Sequence, residues 1–255
     1  MSELLFLGTG AADWTKEHKG DFYRRFSAAL LNQELLLDCT HDIFDFAESI
    51  RDEHLFDKVT DILITHCHSD HFNREAVLKL AEMQKIRVGC DRHIRKVLGE
   101  HPNITYKIFR PYVRKKIGKY QVTPVLANHD VVIKGDQCAF HYIIEAPDGK
   151  KLFYGLDGAW YLRPTWAEMK QHQFSLMVFD CTVGDSDDWR LFEHNTIPML
   201  RKMTKEIRAQ KMLQKDGKLI ASHLARTLHG SHEKTVAILQ KLHIITAFDG
   251  MTIHF

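Results

Sequence analysis

Thr65-His66-Cys67-His68-Ser69-Asp70-His71 sets three imidazoles and one carboxylate within six consecutive positions, directly after the apolar stretch 59–64. Neutral imidazole nitrogen and carboxylate oxygen are the ligand types that suit zinc and its first-row neighbours. Burying so many polar groups without a cation carries a large desolvation cost. In the pattern H-x-H-x-D-H, residues two apart point the same way while the chain is extended, so His66 and His68 reach one ion. Asp70 and His71 lie past the turn and reach a second, the arrangement of two-metal hydrolases. A surface histidine tract is the other reading of such a cluster, but tracts of that kind are low in complexity and flanked by polar residues, whereas this one ends a strand-like run.

Outward from the motif, strand and helix signals alternate. Upstream, residues 4–7 read as a strand closed by the Gly8-Thr9-Gly10 turn, and 27–31 and 34–38 as two strands around Asn32-Gln33, the second delivering Asp38 at its end. Residues 41–51 have helical spacing through Ile43, Phe44, Ala47 and Ile50. A dinucleotide fingerprint needs a third glycine where Asp13 stands, so the glycine turn is not read as a Rossmann site. Downstream, residues 74–86 place Ala76, Val77, Leu80, Ala81 and Met83 on one helical face, followed by a strand at 87–90, a helix through Ile94, Val97 and Leu98, and a strand at 104–109. From 121 the chain turns β-rich, with strands at 121–127, 138–145 and 151–156, the last two joined through Pro147-Asp148-Gly149. A strand at 176–180, a basic amphipathic helix at 196–214 read as a solvated outer layer, a strand at 219–222 ending at His223, a helix at 232–242 and a strand at 250–255 complete the pattern. No sequence repeat is visible, although two β-then-α halves are.

At 255 residues and 44% hydrophobic content, the chain suffices for one large, well-buried domain over 1–255, and no linker composition interrupts it. A formal net charge of +2 is too balanced for nucleic-acid binding across the whole surface, yet it permits an anionic substrate in a local basic site. Five cysteines, single and odd in number, point to a reduced, cytoplasmic protein. The N-terminus lacks the basic start and cleavage site of a signal peptide, and no segment approaches the ~18 apolar residues of a membrane helix. A soluble protein with no membrane partner is expected, and homo-oligomers are compatible with it.

Ligand-type residues recur at other strand ends, as His129, Asp157 and His223. Loops at one edge of a scaffold are where functional groups converge. In this order the residues resemble the metallo-β-lactamase superfamily, for which H-x-H-x-D-H is a highly specific motif. The resemblance implies an α/β fold, a four-layer αββα sandwich with a dinuclear site at one edge. It also implies that His66, His68 and His129 hold one divalent ion, that Asp70, His71 and His223 hold the other, and that Asp157 bridges them. Zn2+ suits the nitrogen and oxygen donors, and Mn2+, Ni2+ or Fe2+ fit them too. In the flavodiiron branch of the superfamily a Glu stands where Ser69 stands, so hydrolysis is preferred to redox chemistry.

The opening Gly8-Thr9-Gly10-Ala11-Ala12-Asp13, the pair Arg24-Arg25 before Phe26-Ser27, and Phe248-Asp249-Gly250-Met251 resemble, over nearly the whole chain, the phosphoribosyl cyclic phosphodiesterase of the carbon-phosphorus lyase pathway. That relative holds a separate structural zinc in a cysteine-rich segment; residues 14–21 here contain no cysteine, so a third ion is not expected. It also carries a histidine before a helix that assists the phosphodiester chemistry. Glu193-His194-Asn195 stands in the matching place, which makes His194 the candidate to protonate the leaving oxygen or stabilise the phosphorane, against a helix-start role with Asn195 as N-cap. Asp38 and Asp180 end apolar strands and are expected to accept hydrogen bonds from ligand histidines, capping or turn roles being the alternative. Arg24 and Arg25 are candidates to steer a phosphate, and His229 and His232 to line the pocket, against ordinary surface roles for all four.

The expected activity is therefore a metal-dependent phosphodiesterase that cleaves a small or cyclic phosphate ester with a metal-bridging hydroxide. Coordination lowers the pKa of water from about 15.7 toward ~7, on the order of 11 kcal/mol at ~1.36 kcal/mol per unit. Asp70 is expected to orient that hydroxide as well as to bind. A tRNA 3′-processing endonuclease similar to ribonuclease Z is the alternative enzyme; no Gly- and Pro-rich arm of that family is visible, but the basic stretch 92–119 keeps RNA open as a substrate. A non-catalytic, metabolite-binding member of the fold is the alternative outside enzymes, and it usually goes with missing ligands. Thioester or lactam hydrolysis fits the GTGAAD opening and the FDG ending less well.

Overall fold

Alternate side chains of the strands divide between two cores, and that division builds the layers. In β1 (Glu3–Gly8), Leu4 and Phe6 point to one core and Leu7 to another, the period-two signature of a strand buried on both faces. The computed structural model describes residues 1–15, 17, 22–133 and 136–255. The segment 14–21, from which no third ion was expected, falls at 16 and 18–21 outside the described residues.

After β1 come β2 (Ala28–Leu31), β3 (Leu35–Leu37), α1 (Asp42–Ser49), β4 (Asp61–Leu63), α2 (Arg74–Met83), β5 (Ile86–Cys90), α3 (Arg92–Leu98) and β6 (Ile104–Ile108). The second half holds β7 (Lys115–Ile117), β8 (Tyr120–Leu126), the short hairpin β9 (Val132–Ile133) and β10 (Asp136–Gln137), β11 (Phe140–Glu145), β12 (Lys151–Gly155), α4 (Arg163–Met169), β13 (Phe174–Asp180), α5 (Ile197–Ala209), β14 (Leu213–Ser222), α6 (His232–Gln240) and β15 (Ile245–Thr246). β16 (Thr252–His254) returns to pair with β1. Among the described residues these strands form two seven-stranded sheets, ordered β16-β1-β2-β3-β4-β5-β6 and β15-β14-β13-β12-β11-β8-β7.

Leu4, Phe6, Leu35 and Leu63 of the first sheet meet Val122, Tyr142, Leu176 and Ile220 of the second in one shared core. The outer face of the first sheet packs on α1, α2 and α3 through Ile43, Val77, Leu80 and Ile94. That of the second packs on α4, α5 and α6 through Met169, Leu200, Met203 and Leu239. Each such buried Leu or Val side chain contributes roughly 1.5–3 kcal/mol, so both helical layers are held by their apolar stripes. The result is the four-layer αββα sandwich. Among the described residues no helix is long and apolar enough to cross a membrane.

Strand direction decides where the loops go. β3, β4, β5 and β6 are parallel neighbours. In the other sheet β12, β13 and β14 are parallel, and β8 runs the same way because both it and β12 pair antiparallel with β11. The segments that follow β8, β12, β13 and β14 therefore emerge at one edge. Several boundaries differ from the sequence reading. The helix expected over 196–214 stops at Ala209, because Lys211 turns left-handed at φ 57° and Leu213 already begins β14. Phe46, not Ile50, completes the buried face of α1, and Met83 is exposed at the end of α2. The strand β7 and helix α4 were not read from the sequence at all.

Candidate metal centre

Asp38, Asp157 and His223 lie just past strands and take the left-handed backbone, with φ of 60°, 40° and 56°. This conformation is uncommon for residues other than glycine, although Asp and His enter it more readily than most. Here it turns each chain sharply off its sheet so that the side chain faces inward. The ligand loop is fixed in the same way by local bonds: His71 N and Phe72 N both donate to His68 O, at 3.0 and 2.8 Å, and Asn73 caps α2 by accepting from Ala76 N at 2.9 Å.

Two sets of donors converge. His66, His68, His129 and Asp157 bring their ligand atoms within 4.8 Å of one another, and so do Asp70, His71, Asp157 and His223. Asp157 belongs to both sets through different oxygens. Its Oδ2 is 3.5 Å from the Nε2 of His66 and 3.5 Å from that of His129, while its Oδ1 is 3.0 Å from His71 Nε2 and 2.8 Å from His223 Nε2. His71 Nε2 and His223 Nε2 lie 3.1 Å apart, and Asp70 Oδ2 is 3.4 Å from the latter. His129 Nε2 is 3.1 Å from His68 Nδ1. All seven sequence-predicted ligand residues thus meet at one edge of the sandwich.

Hydrogen bonds behind the histidines fix their tautomers. Asp38 Oδ2 accepts from His71 Nδ1 at 2.8 Å; a carboxylate can only accept, so the proton is on Nδ1 and the Nε2 lone pair faces the cluster. Thr182 Oγ1 donates to Asp180 Oδ1 at 2.7 Å and so accepts from His223 Nδ1, also at 2.7 Å. Thr65 does the same for His66, giving its hydroxyl proton to Asp38 and lying 3.0 Å from His66 Nδ1. Among the described residues the buried Nε2 of His66 has no hydrogen-bond partner, Asp157 Oδ2 standing off at 3.5 Å. Lone pairs turned toward one another at this spacing repel unless a cation or proton lies among them, so the donor set suits divalent metal.

Charge points the same way. Asp38, Asp70 and Asp157 are buried with no Lys or Arg paired to them among the described residues. Burial lowers the His71 and His223 imidazoles, but the surrounding carboxylates outweigh it, raising His71 well above its usual value and His223 to about 10. Burial raises Asp157, yet the two histidines hold it well below the ordinary carboxylate range. On the other side burial pushes His129 down to about 3, leaving a neutral imidazole. Protons balance the carboxylates here until a cation takes their place.

His194 stands beside the cluster, its ring 5.1 Å from His129 and 5.6 Å from His223 between centroids. Its Nδ1 donates to Asp180 Oδ2 at 2.7 Å. Burial lowers its pKa, and Asp180 more than compensates, so the net direction is upward. Asp180 therefore serves His194 directly and His223 only through Thr182, which refines its expected place behind a ligand histidine. The N-cap of α5 is Thr196, which accepts from Met199 N, and not Asn195. Thr65 and Thr182 were not singled out from the sequence; their proximity to His66 and Asp180 along the chain is the signal that could have found them.

Arg24 and Arg25 have structural partners. The buried Arg24 donates through Nη1 to Thr9 Oγ1 at 2.5 Å and Ala247 O at 2.7 Å, and burial pushes its guanidinium down to about 10. Arg25 pairs with Asp249 at 3.6 Å, and Thr9 Oγ1 donates to the same carboxylate at 2.8 Å. The glycine turn, the arginine pair and the FDG segment thus interlock, and Gly8 is required there because a Cβ would lie 2.0 Å from Phe26 O. His229 donates to Cys181 O at 2.6 Å, and His232 lies 3.0 Å from Arg24 Nη2; with Trp14, Phe22 and Arg226 they line a hollow of about 590 Å3 that begins at Leu224, next to His223.

Residues 33–244 match the family described as the beta-lactamase superfamily domain. No curated protein sequence matches the chain. Among solved structures, a diphosphatase from the PhnP family superposes with a TM-score of 0.73 at 15% identity, covering 100% of this chain and 98% of that one. Zn2+-bound PqqB from Methylobacterium extorquens gives 0.74 at 16%, covering 99% and 100%. The short form of human tRNase Z gives 0.70 at 17%, covering 99% and 98%. At these identities the likeness establishes a common fold.

Proposed function

The chain belongs to the beta-lactamase superfamily, and on that premise we propose that it is a single-domain, dinuclear metal-dependent phosphodiesterase acting on a small or cyclic phosphate ester. The observation that carries the reading is Asp157, whose two oxygens face two separate histidine sets. In this reading His66, His68 and His129 hold one ion, Asp70, His71 and His223 hold the other, and Asp157 is shared. The GTGAAD, arginine-pair and FDG segments support placement near the carbon-phosphorus lyase phosphodiesterase.

Two divalent cations, Zn2+ first among Zn2+, Mn2+, Ni2+ and Fe2+, would ionise a shared water near neutral pH and neutralise the non-bridging phosphate oxygens. The protein's own groups do the rest. Asp70, at the edge of the second set, would accept a hydrogen bond from the attacking oxygen and so aim its lone pair. His194, held by Asp180 with Nδ1 protonated, turns Nε2 toward the substrate and delivers a proton to the departing oxygen, a step worth typically 10²–10⁴-fold in rate. Thr182 ties His194 and His223 to the same carboxylate, so the leaving-group side and the second ligand set keep a fixed relation.

A second reading, a ribonuclease Z-like endonuclease, draws support from the basic stretch 92–119 and the likeness to human tRNase Z. Metal analysis of protein purified without added ions and then reconstituted, together with turnover of bis(p-nitrophenyl) phosphate, tests the common core of both. About two ions per chain and chelator-sensitive turnover are expected, with Asp157→Ala losing metal and activity together. Unreconstitutable protein, or full turnover in Asp157→Ala, would overturn the assignment.

A further inference from the structure

The region 92–119 takes no part in the metal cluster, yet it contains nine Lys and Arg against one Glu. That is a net +8 in a chain whose total is +2, so the remaining residues sum to −6. Charge segregation of this degree marks the footprint of a polyanion. The fold gathers the cations further. Arg92, Arg95 and Lys96 on α3 face Arg110 and Lys115 across a groove of about 770 Å3. Arg95 pairs with Glu100 at 3.0 Å, and Lys115 Nζ donates to Ile108 O at 2.7 Å along the groove. Arg92, Lys96 and Arg110 are exposed and, among the described residues, have no carboxylate partner.

The position of the groove gives it meaning. β4, β5 and β6 are successive parallel strands, joined at their ends by Ile64 N donating to Gly89 O and Phe109 N donating to Cys90 O. The ligand loop follows β4, α3 follows β5, and the segment bearing Arg110 follows β6. The end of the groove at Arg92 and Arg110 therefore opens at the edge that carries the candidate ligand loop, about 10 Å farther along at ~4.8 Å per strand, and the groove runs from there along α3 to Gly99 and Glu100. We propose that this groove binds the sugar–phosphate backbone of a nucleic acid and feeds one of its phosphodiesters to the metal cluster.

The repeat unit of such a ligand is the same group that the cluster is built to attack, which favours a nucleic acid over an acidic protein. That link rests on the second, endonuclease reading of the same phosphodiester chemistry; binding in the groove does not. Within 92–119 the exposed large apolar side chains are Val97 and Val113, too little for membrane insertion. No exposed aromatic offers a stacking platform, since the Tyr106 hydroxyl donates to Gly99 O and Arg95 lies over its ring. The groove therefore reads phosphates and not bases, and its affinity is salt-dependent and indifferent to sequence.

Fluorescence anisotropy on the full chain, with a labelled RNA hairpin bearing a single-stranded 3′ tail and a DNA hairpin of the same sequence, tests this. Binding of either hairpin that weakens steeply with salt supports the proposal. The triple variant Arg92→Glu, Lys96→Glu, Arg110→Glu is expected to lose at least about tenfold in affinity at about 100 mM salt and to flatten the log–log salt slope by about 2–3. Its turnover of bis(p-nitrophenyl) phosphate should stay at the wild-type level. No hairpin binding at about 50 mM salt, a wild-type salt slope near zero, or unaltered binding by the variant overturns it. So does binding of phosphatidylserine vesicles in place of either hairpin. Should circular dichroism show the triple variant unfolded, Lys96→Gln with Arg110→Gln takes its place, with a several-fold loss expected. Absent wild-type turnover of the small ester would instead refute the hydrolase reading and leave the binding result standing.

Discussion

Each histidine of the cluster has two ring nitrogens, and its use depends on which one carries the proton. Asp38, Thr65 and Thr182 settle that for His71, His66 and His223 by occupying Nδ1 and turning the Nε2 lone pair inward. His194 is held as His71 is, its Nδ1 donating to the Asp180 carboxylate as that of His71 does to Asp38, but it stands outside the seven candidate ligand residues. This predicts a selective defect. His194→Gln should keep its full metal content while kcat falls by about 10²–10³-fold on an alkyl phosphodiester, and much less on a p-nitrophenyl ester whose leaving group needs no proton. Equal losses on both substrates would remove the general-acid role.

At the scale of elements, the strand ends do most of the positioning, and the helices close the outer layers. The end of α5 illustrates how local backbone geometry governs a boundary. Met212 N donates to Ile207 O at 3.0 Å, and Lys211 between them sits at φ 57°, a conformation that disfavours a Cβ. Lys211→Gly should therefore raise the free energy of unfolding by about 0.5–1 kcal/mol in urea titrations, with activity unchanged. Destabilisation would mean that the lysine side chain contributes packing that outweighs its backbone strain. The interlock of Thr9, Arg24, Arg25 and Asp249 operates at the same scale, tying the first strand to the segment before the last.

For the whole molecule, stability is linked to pH through a residue buried beneath the cluster. His141 on β11 is enclosed near Phe153 and Tyr161, and a Cβ on Gly158 would lie 2.9 Å from its Nε2. Burial pushes its imidazole down to about 4 from a usual 6.5. An unfolded chain takes up that proton below pH 6.5, while the folded chain resists it until about pH 4. The stability contributed at neutral pH is thus lost as pH falls across that window, a total on the order of 3 kcal/mol. Unfolding free energies measured between about pH 7 and 4.5 should fall less steeply in His141→Leu than in wild type. Parallel curves would assign the acid sensitivity to other groups.

The H-x-H-x-D-H motif, with His129, Asp157 and His223 past later strands, was enough through its family resemblance to anticipate the fold and to name seven residues that the structure brings together, because the motif is contiguous in the chain and segments past parallel strands share an edge in a layered α/β domain. Tertiary structure alone decided that Asp157 presents one oxygen to each histidine set, that Thr182 stands between Asp180 and His223, that the arginine pair braces the glycine turn, and that the basic side chains of α3 and the segment after β6 flank one groove. These relations join residues far apart in the chain. They depend on strand register and packing distances of a few ångströms, to which composition and periodicity carry no reference.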